Sequence, residues 1–173
     1  PQQISLGKTI SAEFMASVIS LKPDDIITRV HPPQVASVGL PFLIAELKDR
    51  NVLAQAAIKM ERLDALISEE IVPDIHLYIR SNDDFDIRAR MFAPLDNAVE
   101  DPATGSANCA LVGLISHLNE SEDGHFTWRI AQGVEMGRPS VLDARTEKQA
   151  GQVTSIWIGG TSVMVSEGTM EVN

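Results

Sequence analysis

The run from Thr104 to Leu118 constrains the fold of this chain more than any other segment. It has the spacing of a helix, and Ala107, Ala110, Leu111, Leu114, Ile115 and Leu118 share one face. Cys109, Val112 and Gly113 cover most of what remains. A helix that is apolar on nearly every side has no face to turn to water, so it must be enclosed. Its neighbours in the chain repeat with a period of two. Ile75, Leu77 and Ile79 alternate with His76, Tyr78 and Arg80; after Ser81-Asn82-Asp83-Asp84, Phe85, Ile87, Ala89 and Met91 alternate with Asp86, Arg88 and Arg90. That pattern predicts a half-buried antiparallel hairpin with its arginines solvated or at an interface. Later strand runs fall at 126–131, 140–145, 152–158 and 162–166, and Gly159-Gly160 offers a two-residue turn. An enclosed helix between strands predicts an α+β domain, a mixed sheet or barrel wrapped around a central buried helix, rather than a helix on one face of an open sheet.

The segments before the hairpin are more ordinary. Gln2 to Leu6 reads as a short strand, and Ser11 caps a helix over about 12–20 with Phe14, Met15, Val18 and Ile19 on its apolar side. Pro23-Asp24-Asp25 ends or restarts it, and His31-Pro32-Pro33 forces 30–38 into an extended path. Phe42 to Leu47 reads as a strand, and 51–58 and 62–71 carry helical periodicity. Ala93 to Asp101 reads as a loop.

Composition removes several function classes. The 173 residues suit one domain or two very small ones. No stretch reaches the ~20 apolar residues of a membrane span, and Pro1-Gln2-Gln3-Ile4-Ser5 is not a secretory signal. The chain has no initiator Met, as expected of a fragment or a processed chain. A net charge of −10 without clustered cations argues against nucleic acid as a partner. The single cysteine, Cys109, excludes an internal disulfide and fits a reducing, cytoplasmic compartment. His31, His76, His117 and His125 lack ligand spacing, so no metal site is expected.

Chemistry concentrates where the buried helix begins, in Glu100-Asp101-Pro102-Ala103-Thr104-Gly105-Ser106-Ala107-Asn108. The first turn of a helix presents unpaired N–H groups and partial positive charge. Gly105 permits close approach to the backbone, Thr104 and Ser106 add hydroxyls, and the small residues leave room. This is a cradle for an anion, most simply a carboxylate, with Pro102 holding Asp101 at its mouth. The plainer reading is that Asp101 or Thr104 is only an N-cap and the glycine serves packing. A phosphate-binding Walker loop is excluded because no Lys follows the glycine, and the G-x-G-x-x-G spacing of dinucleotide folds is absent.

Together with Gly39-Leu40-Pro41-Phe42-Leu43, Met91-Phe92-Ala93-Pro94, Gln132-Gly133, Met136-Gly137-Arg138-Pro139-Ser140 and Gly159-Gly160, this motif resembles the second half of the phenazine-biosynthesis PhzF-like isomerases. The resemblance implies a diaminopimelate epimerase-like fold: two similar domains, each wrapping sheet around a helix, with the active site between them. It implies cofactor-free and metal-free proton transfer next to a carboxylate on a small metabolite. Asp101 is then the catalytic carboxylate of this half, and Thr104, Gly105 and Ser106 hold the substrate carboxylate or the developing enolate-like charge. A homodimer is also implied. The family's glutamate-bearing first half has no match here. Residues 1–20 then correspond to the end of the first domain and the crossover, 21–160 to the C-terminal domain, and 161–173 to a strand that packs toward the missing N-terminal domain. Three readings follow: half of an isomerase that is inactive alone, a non-catalytic remnant used for binding or assembly, or an enzyme whose first half is a separate or lost polypeptide.

Other residues are weighed beside these. Cys109, about two turns into the helix, reads as core rather than as a nucleophile. Arg138 reads as a salt bridge at a turn or as a substrate contact, and Gln132 as a tie between strand and loop or as a wall of the cleft. His31 reads as structural. Glu100 is a like-charge neighbour of Asp101 unless the two side chains point apart.

Overall fold

The computed structural model describes residues 3–96 and 99–171. Pro1 of the expected crossover segment, Gln2 of the expected first strand, Asn97 and Ala98 of the 93–101 loop, and Val172 and Asn173 of the C-terminal segment lie outside the described residues. The strands are β1 (Ser5–Thr9), β2 (Ile26–Ile27), β3 (Gln34–Ser37), β4 (Pro41–Leu47), β5 (Ile75–Arg80), β6 (Ile87–Phe92), β7 (Glu100–Asp101), β8 (Gly124–Gln132), β9 (Ser140–Gln149) and β10 (Gln152–Gly159). The helices are α1 (Ala12–Val18), α2 (Arg50–Gln55), α3 (Met60–Ser68) and α4 (Gly105–His117), with a 3-10 turn over Pro23–Asp25. One mixed sheet runs β1-β3-β4-β5-β6-β8-β9-β10, with β2 beside β4 and β7 beside β6. The β4–β5 and β6–β8 pairs are parallel, and the others are antiparallel.

The sheet is covered on both faces. Leu43, Ala45, Leu47, Ile75, Leu77, Ile79 and Phe92 point to one side and bury α1, α2 and α3. Phe42, Ile44, Tyr78, Ile87, Ala89, Met91, Ile130, Leu142 and Ala144 point to the other and bury α4. As the enclosed-helix argument requires, every residue of α4 from Ala107 to Ser116 except the half-buried Cys109 is buried. The two ends of the sheet meet on α4 at Gly113. A Cβ there would lie 2.9 Å from Ile156 Cδ1 of β10, 3.1 Å from Ile4 Cδ1 and 3.5 Å from Val38 Cγ2. The curl of the sheet around the helix therefore closes on a residue with no side chain.

Two polar devices hold the far end of α4. Thr146 Oγ1 lies 2.6 Å from Ser116 Oγ in the buried layer. Lys148, itself buried, donates to the carbonyls of Asn119 at 2.6 Å and His117 at 3.3 Å. A cation on the last carbonyls satisfies orphan acceptors and complements the negative end of the helix dipole. At α1 the expected cap is present: Ser11 Oγ accepts from the Phe14 N–H at 3.1 Å. The proline-bound segment before β3 is tied down by His31, whose ring nitrogens lie 2.7 Å from the Pro32 carbonyl and 2.9 Å from the Tyr78 hydroxyl; that hydroxyl donates to Glu46.

Three sequence expectations are corrected. The antiparallel hairpin β5–β6 forms, but its register sets Leu77 opposite Arg90 and Ile79 opposite Arg88, so the two apolar sets lie on opposite faces and the hairpin is buried on both. Arg88 and Arg90 are 9% and 8% exposed rather than solvated. Periodicity shows which residues share a face but not what covers it; here the end of α2 meets Arg90. Arg90 donates to both Glu100 carboxylate oxygens at 2.8 Å and to the carbonyls of Leu53, Ala54 and Ala56 at the end of α2. Arg88 grips Asp83 and lies over the Phe85 ring. Second, Gly159-Gly160 is not a hairpin turn. The β9–β10 turn is Ala150-Gly151, both at positive φ (47° and 76°), as a two-residue type I′ turn demands. Third, the strand expected at 162–166 is absent; residues 160–171 have no regular structure, and Val163, Met164, Val165 and Met170 are exposed.

Gly113 gives the fold its test. Gly113→Leu forces side-chain atoms between Ile156 and Ile4 and is expected to cost about 1–3 kcal/mol through overpacking, read as a lower urea midpoint at unchanged m-value.

Candidate active site

β7 and α4 are joined by Pro102-Ala103-Thr104, which brings Asp101, Thr104, Gly105 and Ser106 to one end of the buried helix. All four sequence-predicted residues are therefore neighbours. Asp101, Thr104 and Ser106 line a hollow of about 310 Å³ together with Met91, Asp74 and Asp96. Gly105 and Ala103 line a second hollow, about 480 Å³, on the other flank of the tip against Ser140 and Ile158. A Cβ at Gly105 would meet only Ile158 Cγ2, at 3.4 Å.

The tip is uncapped. Thr104 is the N-cap, yet its side chain makes no capping hydrogen bond. Its hydroxyl turns away and donates to Asp101 Oδ2 at 2.5 Å. Among the described residues no side chain accepts from the N–H groups of Gly105, Ser106 or Ala107, which open the helix. A helix of thirteen residues thus presents its positive end to a hollow beside a carboxylate.

Behind the tip lies a buried polar network. Gln132, at the end of β8 and fully buried, donates from Nε2 to the Asp101 carbonyl at 2.7 Å and to Thr104 Oγ1 at 3.0 Å. Its Oε1 accepts from Asn108 Nδ2 at 2.7 Å and from the Thr104 N–H at 3.3 Å. Asn108 Nδ2 also donates to the Thr104 carbonyl at 2.9 Å, and Asn108 Oδ1 lies 3.3 Å from His76 Nε2. His76 Nδ1 is buried without a partner. Burial, offset only in part by Asn108, pushes the His76 pKa down to about 4, so the ring is neutral.

The other weighed residues fall away from the tip or turn from it. Glu100 points to the opposite side of β7 from Asp101 and is taken by Arg90. Arg138 is exposed, and among the described residues its side chain has no hydrogen-bond partner; its backbone N–H donates to the Gly133 carbonyl. Cys109 is half-buried, and burial raises its thiol pKa, the opposite of what a nucleophile needs. Sequence reasoning missed His76, Asp74 and Asp96. Burial first, and then the charge of Asp96, raise the Asp74 pKa. No local signal marks these residues, because sheet register and loop packing bring them to the tip. Among the described residues no cluster of three or more metal-type ligands occurs, and no helix is long and apolar enough to cross a membrane.

The profile of the phenazine biosynthesis-like proteins, PhzC-PhzF, matches residues 5–168. The chain belongs to this family. An uncharacterized isomerase of Mesorhizobium japonicum is 30% identical over 163 residues, covering 91% of this chain and 54% of that protein. The trans-2,3-dihydro-3-hydroxyanthranilate isomerase of Pseudomonas chlororaphis is 42% identical over 83 residues, 48% of this chain and 30% of that enzyme. A PhzF-family structure from Bacillus anthracis superposes with a TM-score of 0.80 at 20% identity, covering 92% of this chain and 55% of that one. This PhzF-family chain therefore has the family fold, the mixed sheet curled around a helix, and spans about half the length of the relatives it matches.

The neutral buried His76 makes stability depend on acid. Unfolded, the imidazole protonates below its ordinary 6.5; folded, it resists until about 4. Stability from this group is complete above pH 6.5 and is lost as pH falls toward 4. Between pH 7 and 4.5 the native chain is expected to lose roughly 2–3 kcal/mol more than His76→Gln in urea unfolding; parallel losses would remove His76 as the cause.

Proposed function

We propose that this chain is the second half of a cofactor-independent isomerase that moves a proton next to a carboxylate on a small metabolite. Its active site is shared with an N-terminal domain. The observation that carries this reading is the diverted Thr104 hydroxyl: among the described residues it leaves the first-turn N–H groups of α4 without a side-chain acceptor, beside Asp101.

The chemistry follows from the geometry. A substrate carboxylate set on the Gly105 and Ser106 N–H groups meets the positive end of α4. When a base takes the proton from the adjacent carbon, the electron pair of the broken C–H bond spreads onto the carboxylate oxygens, and the same N–H groups hold the growing charge. A new C–H bond formed elsewhere on the molecule completes an isomerisation with no net change in electrons. Thr104 occupies Asp101 Oδ2, which leaves Oδ1 as the oxygen that carries the proton. The similarity to a trans-2,3-dihydro-3-hydroxyanthranilate isomerase supports a cyclic amino acid-like carboxylate as the substrate class. The exposed Val163, Met164 and Val165 support a C-terminal segment that packs on the first domain.

Two measurements test this. In the full-length protein, Asp101→Asn is expected to slow isomerisation of a dihydro-hydroxyanthranilate by about 10²–10⁴-fold, the usual worth of a positioned acid or base; a near wild-type rate contradicts the role. The purified chain alone is expected to show no isomerisation, and turnover by it would refute the shared site.

A further inference from the structure

We propose that His76, Asn108 and Gln132 are positioning residues: acting through one another, they hold the Thr104 hydroxyl on Asp101 and off the first turn of α4. The proposal rests on the reading of that first turn as an anion site.

The direction of every hydrogen bond in the network is fixed by backbone groups. The Asp101 carbonyl can only accept, so the Gln132 atom 2.7 Å from it is the NH₂. The Thr104 N–H can only donate, so the other Gln132 atom is the oxygen. The Thr104 carbonyl fixes Asn108 in the same way, with its NH₂ toward the carbonyl and its oxygen toward His76. His76 must then carry its proton on Nε2. The chain of donors runs one way, from His76 to Asn108 to Gln132 to Thr104 to Asp101.

Thr104 has one hydroxyl proton, and Asp101 takes it. Gln132 Nε2 donates to the same oxygen, and the two bonds together pin the side-chain rotamer that points away from the first turn. Without the Gln132 bond that rotamer is less firmly held, and the side chain can turn to accept from a first-turn N–H, which is what a threonine at an N-cap ordinarily does. Gln132 therefore biases the choice between a self-capped helix and an open one. It cannot retreat, because the next residue is wedged against the site. Gly133 sits at φ +76°, and a Cβ there would fall 2.3 Å from the Arg138 carbonyl oxygen and 2.8 Å from that of Pro102. Asn108 and His76 hold the Gln132 amide in its orientation from behind, without reaching the hollow themselves.

The test is a titration of the chain with acetate at constant ionic strength, read on the Gly105, Ser106 and Ala107 amides by NMR. The wild type is expected to show saturable shifts in these amides. Gln132→Met lacks the donor and is expected to bind acetate about five- to tenfold more weakly, the worth of one cap. Adding Thr104→Val removes the competing hydroxyl, and affinity is expected to return to within about twofold of wild type, a non-additivity that a purely structural role does not produce. Unchanged affinity in Gln132→Met, or no recovery in the double variant, overturns the proposal. If Gln132→Met does not fold, Asn108→Ala leaves Gln132 in place and is expected to weaken acetate about two- to threefold through partial loss of one hydrogen bond; no change there also overturns it. Wild-type amides that ignore acetate refute the anion-site reading itself, an outcome distinct from the other failures.

Discussion

The enclosure of α4 is the constraint on which the rest of the structure depends. A helix apolar on all sides removes its apolar surface from water only if the sheet bends far enough to meet it from both ends. The meeting point is Gly113, where β10 and the segments flanking β1 and β3 leave no space for a side chain. Enclosure also confines the helix's polar demands to its two ends, because the backbone between them is internally paired. The ends are treated differently. The carboxyl end is closed by Lys148, and the amino end is left without a cap. One end of the central helix is thus satisfied by a buried cation, and the other faces a hollow beside a carboxylate, which is where the proposed reaction is set.

The open end is held by a buried network in which every amide orientation is determined. Such networks are costly when partly satisfied and rigid when nearly complete. Among the described residues the unsatisfied atom of this network is His76 Nδ1, at the end farthest along the chain of donors from Asp101. The cost of burial thus falls on a neutral imidazole, away from the carboxylate and the helix tip. The same economy appears at Arg90, which closes α2 and neutralises Glu100, so that the charge adjacent to Asp101 in sequence is turned away and paired.

Much of this was legible in the sequence, for physical reasons that differ by residue. The enclosed helix and the β5–β6 hairpin are stated by periodicity alone, and the four residues at the tip are legible because they are contiguous from Asp101 to Ser106. The burial of Arg88 and Arg90 is not legible, because alternation defines a face without saying what covers it: the end of α2, far away in the chain, takes Arg90, and Asp83 and Phe85 take Arg88. The turn after β9 was missed because Ala150 at positive φ leaves no mark in composition, whereas Gly159-Gly160 has the right letters in a place where the sheet needs no reversal. Gln132 reads from the sequence as a tie between strand and loop, and it ties β8 to the 101–104 segment; His76 reaches the tip only through the register of β5, so its part is a property of the folded sheet.

Amide hydrogen exchange along α4 tests the central claim most directly. The account predicts that Leu111, Val112, Leu114 and Ile115 exchange only through global unfolding, while Gly105, Ser106 and Ala107 exchange orders of magnitude faster because no side chain among the described residues accepts their hydrogens. Equal protection across the helix, with the first turn as slow as its centre, would show that the tip is closed and contradict the account.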